Sequence, residues 1–515
     1  MSSATIAPAI PVKNPVSERL VSLDALRGFD IFLLLMLGIV GKFASGPMPG
    51  LIEGKSEACV QFWQRFASHF EHVGWEGFTL CDLAMPLFVF MAGAAIPFSL
   101  SRYVRGEDKR WGRLWLRIIR RVVVLWIFGM AVQGQLLTLQ PEKFRLFSNT
   151  LQSIAVGYFF SCLAYLYLPK WARFVAFVVL LLAFWACMKF ITVGGSGETE
   201  GLTEWTMNWI TARGCGGGSY AEGTNLAYWV DCQVLGRTMD YASVNDAGEV
   251  VFRDFYQYTW ILSSLTFVAT ALSGMFGGEL LYSTREKIKS LSSKDSKGRR
   301  LARWQACALL VVSGGLCFLF GLFWNAAPEG SFVYCPIIKH IWTPSMVLYS
   351  SGVSLLLLGL CYAVFDILRP WQAGILLAVL GAIFFLLGIL WYRAPEDSLA
   401  YLSVLARIWQ YPLALCELGA WLLLAALFYA PLASFKLPSL KTFLVVFGTN
   451  AIAAYMLSHI FNFKQIVESV LYGCEFWLDK FKLGAWYSFL LEVAAAALIW
   501  AILHSFWKRG KFLRV

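Results

Sequence analysis

Apolar residues along this chain gather into blocks of about 17–25 positions, the length a helix needs to cross the hydrocarbon core of a bilayer. Twelve such blocks can be drawn, at 29–46, 79–100, 119–138, 150–168, 172–193, 259–282, 304–324, 345–365, 373–391, 410–430, 441–460 and 486–507. The pattern predicts an all-α fold, a polytopic transmembrane bundle of about twelve helices. Residues 1–20 are polar and contain proline, with no apolar core of the signal-peptide kind, so they read as a cytoplasmic tail. Residues 21–515 then form one membrane domain.

Composition narrows the class. Of the 515 residues, 58% are hydrophobic and only 15% charged, against roughly 25% charged in a soluble domain. That balance excludes a soluble enzyme. The net charge of +11 invites a nucleic-acid reading. The basic residues, however, sit in short runs between apolar blocks, where the positive-inside rule places them. One run, 101–118, holds Arg102, Arg105, Lys109, Arg110, Arg113 and Arg117, with Arg120 and Arg121 just beyond. A second, 283–303, holds Arg285, Lys287, Lys289, Lys294, Lys297, Arg299, Arg300 and Arg303. The tail adds Lys508, Arg509, Lys511 and Arg514. With twelve spans all three runs fall on one side, expected to be cytoplasmic with both termini. The stretches 47–78, 194–258, 325–344 and 461–485 then lie on the opposite side. No cysteine or histidine cluster has zinc spacing, and no metal is expected.

Two segments carry chemistry. In Ser22-Leu23-Asp24-Ala25-Leu26-Arg27-Gly28, Asp24 and Arg27 stand three apart and share a helical face. A helix cap plus a topological arginine would explain them equally well. The second segment runs His72-Val73-Gly74-Trp75-Glu76-Gly77-Phe78-Thr79-Leu80-Cys81-Asp82-Leu83, then Pro86 and Phe88. Histidine is the natural proton carrier near neutral pH and can accept an acyl group. Asp82 lies within an apolar block, where an ionisable group is expensive and points to function. His69 reads more simply as a solvated histidine.

Together these segments resemble the heparan-alpha-glucosaminide N-acetyltransferase family and its bacterial relatives. Weaker matches follow in order: Leu151-Gln152 with Tyr158, Asp231 with Leu235-Gly236, Lys339-x-x-Trp342-Thr343-x-Ser345, and Gly448-Thr449-Asn450 with Tyr455. The resemblance implies a transmembrane transfer of an acetyl group from cytoplasmic acetyl-CoA to an amino sugar of a glycan across the membrane. It implies His72 as the catalytic histidine, through either an acetyl-histidine relay or direct attack, with Asp82 beside it. The chain departs from the family in Leu37-Gly38-Ile39, where an asparagine is usual, in Glu76, and in an extra helix pair within 373–430. The large lumenal domain of the animal enzyme is absent, which suggests a bacterial inner membrane.

The remaining assignments follow from that chemistry. Acetyl-CoA carries phosphates, which arginine binds bidentately, so Arg27, Arg120 and Arg121 are candidates for the donor site, with Asn450 joining them through its family match. Trp75, Asp231, Lys339, Trp342 and His459 are candidates for the acceptor sugar. Trp342 also fits an interface anchor, Asn450 a polar contact between helices, and His459 a helix-end histidine. Cys215 and Cys232 share the long 194–258 stretch, and a disulfide there would hold Trp229 and Asp231 as a lid. Expected partners are acetyl-CoA, a glycan with a terminal amino sugar and the lipid bilayer, without nucleic acid; a homodimer is left open. The rival readings are a membrane O-acyltransferase of a cell-envelope glycan and a transporter using His72 and Asp82 as a proton relay.

Overall fold

With no water to satisfy backbone groups in a bilayer, long apolar blocks must close their hydrogen bonds internally, as helices. The computed structural model describes residues 20–134, 144–193, 215–240, 242–244, 250–252, 258–292, 294–392, 422–423, 426 and 440–512. The chain opens with α1 (Val21–Ser45), short α2 (Pro47–Ile52) and α3 (Glu57–Ser68). A 3₁₀ turn at Cys81–Leu83 leads into α4 (Ala84–Ala94) and α5 (Ile96–Val104), followed by α6 (Trp111–Val132), α7 (Thr150–Tyr167) and α8 (Lys170–Phe190). Within the long connection lies α9 (Leu226–Leu235). Then come α10 (Ser263–Ser290), α11 (Ser296–Asn325), α12 (Pro344–Tyr362) and α13 (Pro370–Tyr392). The last described helices are α14 (Leu440–Thr449), α15 (Ala451–Ile460), α16 (Phe463–Lys480) and α17 (Tyr487–Lys508). Two-residue strands form two antiparallel pairs, Thr192–Val193 with Cys215–Gly216 and Ser243–Val244 with Val250–Val251.

Among the described residues, eight helices are long and apolar enough to cross a membrane, and α14 with α15, bent by 77°, would make a ninth. The expected spans 29–46 and 119–138 overlap α1 and α6, helices of 25 and 22 residues that are not among those eight, and 135–138 lie outside the described residues. The expected span 410–430 lies outside the described residues apart from 422–423 and 426. The basic runs are more helical than loops. Helix α10 continues to Ser290 and α11 starts at Ser296, because Lys, Arg and Glu are good helix formers. Asp295 caps the restart by accepting the Gly298 N–H at 2.8 Å.

Close backbone approach holds the bundle together, as expected where lipid tails leave little hydrophobic drive between helices. A methyl group on Gly274 or Gly278 of α10 would run into the carbonyl oxygens of Phe90 and Ala94 on α4. A second crossing joins α1 to α14, where Gly28 sits against Leu444 and Gly448 against Asp24. Two motifs far apart in sequence, Ser22–Gly28 and Gly448–Asn450, therefore meet at one crossing.

Contacts also sort the helix ends into two faces. Arg105 pairs with Glu286 at 3.2 Å, joining the two basic runs. Asp366, at the end of the π-helical turn after α12, accepts the Val21 and Ser22 N–H groups at 3.3 and 3.0 Å. Arg303 donates to the Asp366 carbonyl at 3.4 Å, which brings the start of α1 to this basic face. At its far end α1 packs Phe43 on Trp486 and Phe489, so α17 runs antiparallel to α1 and returns to the basic face. The opposite face carries the 69–83 and 326–343 segments.

Candidate functional site

Gly77 adopts φ +116°, a region that favours glycine, and so turns the chain sharply between His72 and the start of α4. Its N–H donates to the Ile337 carbonyl at 2.9 Å, tying this turn to the segment that holds Lys339. The Cys81 N–H donates to the His69 carbonyl at 3.1 Å and closes the turn from the other side. His69 thus helps fold the turn, while His72 faces Asp82.

Asp82 is the centre of the site. Its Oδ1 lies 2.8 Å from His72 Nδ1 and 2.8 Å from Lys339 Nζ. Its Oδ2 accepts the Thr79 hydroxyl at 2.9 Å and the Thr79 N–H at 3.1 Å. The carboxylate and the ammonium are almost closed off, with side chains 3% and 6% exposed, whereas the His72 ring is 46% exposed. A carboxylate only accepts, so its contact favours Nδ1 as the donor and leaves Nε2 on the side away from Asp82. Lys339 also lies 3.2 Å from Nδ1, and Cys81 Sγ 3.0 Å. The His72, Cys81 and Asp82 ligand atoms gather within 4.8 Å, tightly enough for a metal ion. The Lys339 ammonium already takes the cationic place on Asp82.

Aromatic rings wall this group. Trp75 stacks on His340 at 5.3 Å and 10°, and Tyr258 covers His340 at 4.7 Å. The Trp75 indole N–H donates to the Tyr220 carbonyl at 2.9 Å. The long 194–258 stretch therefore touches the site through Tyr220, and Tyr258 at its end covers the same wall. Burial, with the Lys339 charge beside it, pushes His340 down to about 4, so the ring stays neutral at physiological pH. Nothing in the sequence marks His340 apart from its place next to Lys339.

The other acceptor candidates lie elsewhere. Asp231 is fully buried in α9 and accepts the Trp260 and Ile261 N–H groups at 2.6 and 2.9 Å, holding the approach to α10. Trp342 is 1% exposed, with its indole N–H on Thr270 Oγ1 at 3.0 Å and its ring against Phe267. His459 is exposed and stacks on Tyr455 at 4.2 Å, away from the His72 group. Cys232 is buried with its thiol 3.8 Å from Met239 Sδ, and the side chain of Cys215 lies outside the described residues. Of the five acceptor candidates, Lys339 and Trp75 join His72 and Asp82.

A second locus opens toward the basic face. A cavity of about 400 Å³ is lined by Asp24, Arg27, Arg121 and Arg285, and by apolar residues of α4, α7 and α15. Arg27 lies 3.7 Å from Asp24, one turn back on α1. Arg121 places its guanidinium 4.3 Å over the Tyr158 ring. Arg120 points to solvent and does not line the cavity. Arg285 does line it, although its sequence context shows only one more residue of a basic run. Asn450 is buried at the α14–α15 elbow, between the lining residues Thr449 and Ala451. Helix α4 links the two loci, with Asp82 at its start and Phe88, Met91 and Ala92 along the cavity. Six residues separate Asp82 from Phe88, roughly 9 Å of helix.

Residues 19–198 match a family described as "Domain of unknown function (DUF5009)". That stretch contains both the Ser22–Gly28 and the His72–Asp82 segments. Over 382 residues the chain is 23% identical to heparan-alpha-glucosaminide N-acetyltransferase of Mus musculus, covering 69% of this chain and 50% of that protein. The Homo sapiens protein of the same name is 22% identical over 392 residues, 71% of this chain and 52% of its own. This chain is a distant relative of those proteins. It spans about half the length of the curated relatives it matches. The helices long and apolar enough to cross a bilayer agree with an α-helical integral membrane protein.

Proposed function

We propose that this protein is a multi-pass membrane acetyltransferase that moves an acetyl group from cytoplasmic acetyl-CoA to an amino sugar of a glycan on the opposite side. The observation that carries the reading is the position of the buried Asp82–Lys339 pair and its half-exposed histidine on the face opposite an arginine-lined cavity. The cavity suits the donor. Arg27, Arg121 and Arg285 offer charge-assisted contacts to phosphates, and the space between α4 and α7 suits a long, uncharged thioester arm.

At the other end Asp82 holds His72 through Nδ1, so Nε2 is the atom that acts. In direct transfer the amine nitrogen bonds to the acetyl carbon, the carbon–sulfur bond breaks, and the amine's proton passes to Nε2. In a relay Nε2 first bonds to the acetyl carbon as the carbon–sulfur bond breaks and CoA leaves as its thiolate; the amine nitrogen then attacks that carbon, the carbon–Nε2 bond breaks, and the amine's proton passes to Nε2. Lys339 neutralises Asp82 in either route, and the Trp75 ring offers a flat apolar surface of the kind sugars stack on. The proposed setting is a bacterial inner membrane with the basic face in the cytoplasm.

Purified protein with acetyl-CoA and a panel of glucosamine-ended and hydroxyl-only acceptors tests this through release of free CoA. Release with the amine acceptors that vanishes in His72→Ala supports the proposal. Release only with hydroxyl acceptors selects an O-acyltransferase. No release with any acceptor, together with uptake of sugar into vesicles, would replace the enzyme with a transporter.

A further inference from the structure

A second cavity, of about 560 Å³, opens on the basic face between the α11 start and the α12–α13 junction. It shares no lining residue with the arginine-lined cavity along α4. Arg299, Arg300 and Arg303 enter it from the first turns of α11, and Arg369 and Gln372 from the start of α13, with Trp304 as the aromatic wall.

Positive-inside topology explains basic residues in a loop, but not their convergence from separate elements on one hollow. Like charges at helical spacing repel. Among the described residues none of the four guanidiniums has a carboxylate within ion-pair distance. The two carboxylates on the adjoining turns are otherwise engaged. Asp295 caps the Gly298 N–H, and Asp366 accepts the Val21 and Ser22 N–H groups. Arg299 and Arg303 each donate to a backbone carbonyl, Leu291 at 3.2 Å and Asp366 at 3.4 Å, which steadies the side chains without cancelling their charge. The Arg299 Nε is itself buried without a hydrogen-bond partner. Two helix N-termini add positive potential at the same place.

We propose that this cavity is a binding site for a phosphate-bearing anion, supplied by the headgroup of an anionic phospholipid. Four guanidiniums around one hollow match the several oxygens of a phosphate. The lipid source follows from the rim. Leu301, Trp371 and Ile375 are exposed on α11 and α13 beside the arginines, giving acyl chains an apolar path and the interface a tryptophan. Basic pockets between transmembrane helices bind anionic headgroups in this way.

The test measures lipid retention independently of acetyl transfer. Protein is equilibrated in phosphatidylcholine vesicles containing a minor fraction of phosphatidylglycerol, extracted, and its retained lipids counted by mass spectrometry. Wild type should retain phosphatidylglycerol well above its bulk fraction. Arg369→Ala, on an exposed turn where the fold tolerates change, and Arg299→Gln/Arg303→Gln should each lower that preference by tenfold or more. Arg369→Lys, which keeps the charge and loses the fork, should fall between. Excess inorganic phosphate should fail to displace the lipid. Equal enrichment in wild type and in both charge-removing variants overturns the site. Full displacement by inorganic phosphate overturns the lipid as its source. A raised KM for acetyl-CoA in Arg369→Ala, with lipid retention unchanged, would reassign the cavity to the donor.

Discussion

Removing either member of the Asp82–Lys339 pair should leave a lone charge in a place water cannot reach. The two groups are 2.8 Å apart and their side chains 3% and 6% exposed. At an effective dielectric of about 20, opposite charges at that separation attract by about 6 kcal/mol before desolvation is subtracted. Breaking a buried pair from one side typically costs about 3–5 kcal/mol, whereas replacing both partners by neutral groups is far milder. Asp82→Asn and Lys339→Met should therefore each lower thermal stability in detergent strongly. The double variant should recover most of the loss, with a coupling energy of about 3 kcal/mol. Activity should follow a different pattern. Asp82→Asn removes the negative charge and lets an amide NH2 face His72 Nδ1, favouring the wrong tautomer, so CoA release should drop by orders of magnitude. The double variant should fold and remain inactive. Additive destabilisation, with coupling below about 0.5 kcal/mol, would refute the ion-pair argument. Restored activity in the double variant would refute the orienting role of Asp82.

Other outcomes can be checked separately. His72→Ala should abolish CoA release with little change in melting temperature, because its ring is half-exposed, while a milder loss is expected for His69→Ala; comparable losses would remove His72 from the centre of the site. Arg27→Ala and Arg121→Ala should raise the KM for acetyl-CoA by about tenfold to a hundredfold, the loss of one charge-assisted bond, while Arg120→Ala should change it little. Asp231→Asn should leave the acceptor KM unchanged and alter stability instead. Burial raises the Asp231 carboxyl to about 7 in the folded protein, so the folded state binds more protons than the unfolded one between about pH 4 and 7. Stability from this group is therefore present at low pH and lost as pH rises through 7, and Asp231→Asn should flatten that decline in melting temperature.

The sequence makes the helical architecture plain, because apolar blocks of bilayer length leave few alternatives. It also brings out Asp82, an ionisable group inside an apolar block, while His72 and Arg27 stand out through the segments that contain them. Lys339 and Trp75, candidates through the family resemblance, join the site through tertiary contact. Asp231 and Trp342 were equally prominent in sequence, yet both face inward to backbone and hydroxyl partners. A residue pattern in a connecting segment carries no period that says which way a side chain points. His340 and Arg285 went unmarked for the converse reason: each owes its place to what another segment brings against it. The glycines Gly28 and Gly448 are informative only as a pair, since each is explained by the backbone of the helix carrying the other. The basic runs show their side of the bundle, but not that α10 and α11 continue as helices through most of the second one.

In the proposed reaction donor and acceptor meet from opposite faces. Proteoliposomes of known orientation decide it, with acetyl-CoA supplied on one side only and a glucosamine-ended acceptor on the other. Acetylated acceptor should appear on the His72 side and free CoA on the basic side, and neither when the two substrates are exchanged. Product formed only when both substrates share a compartment would contradict it.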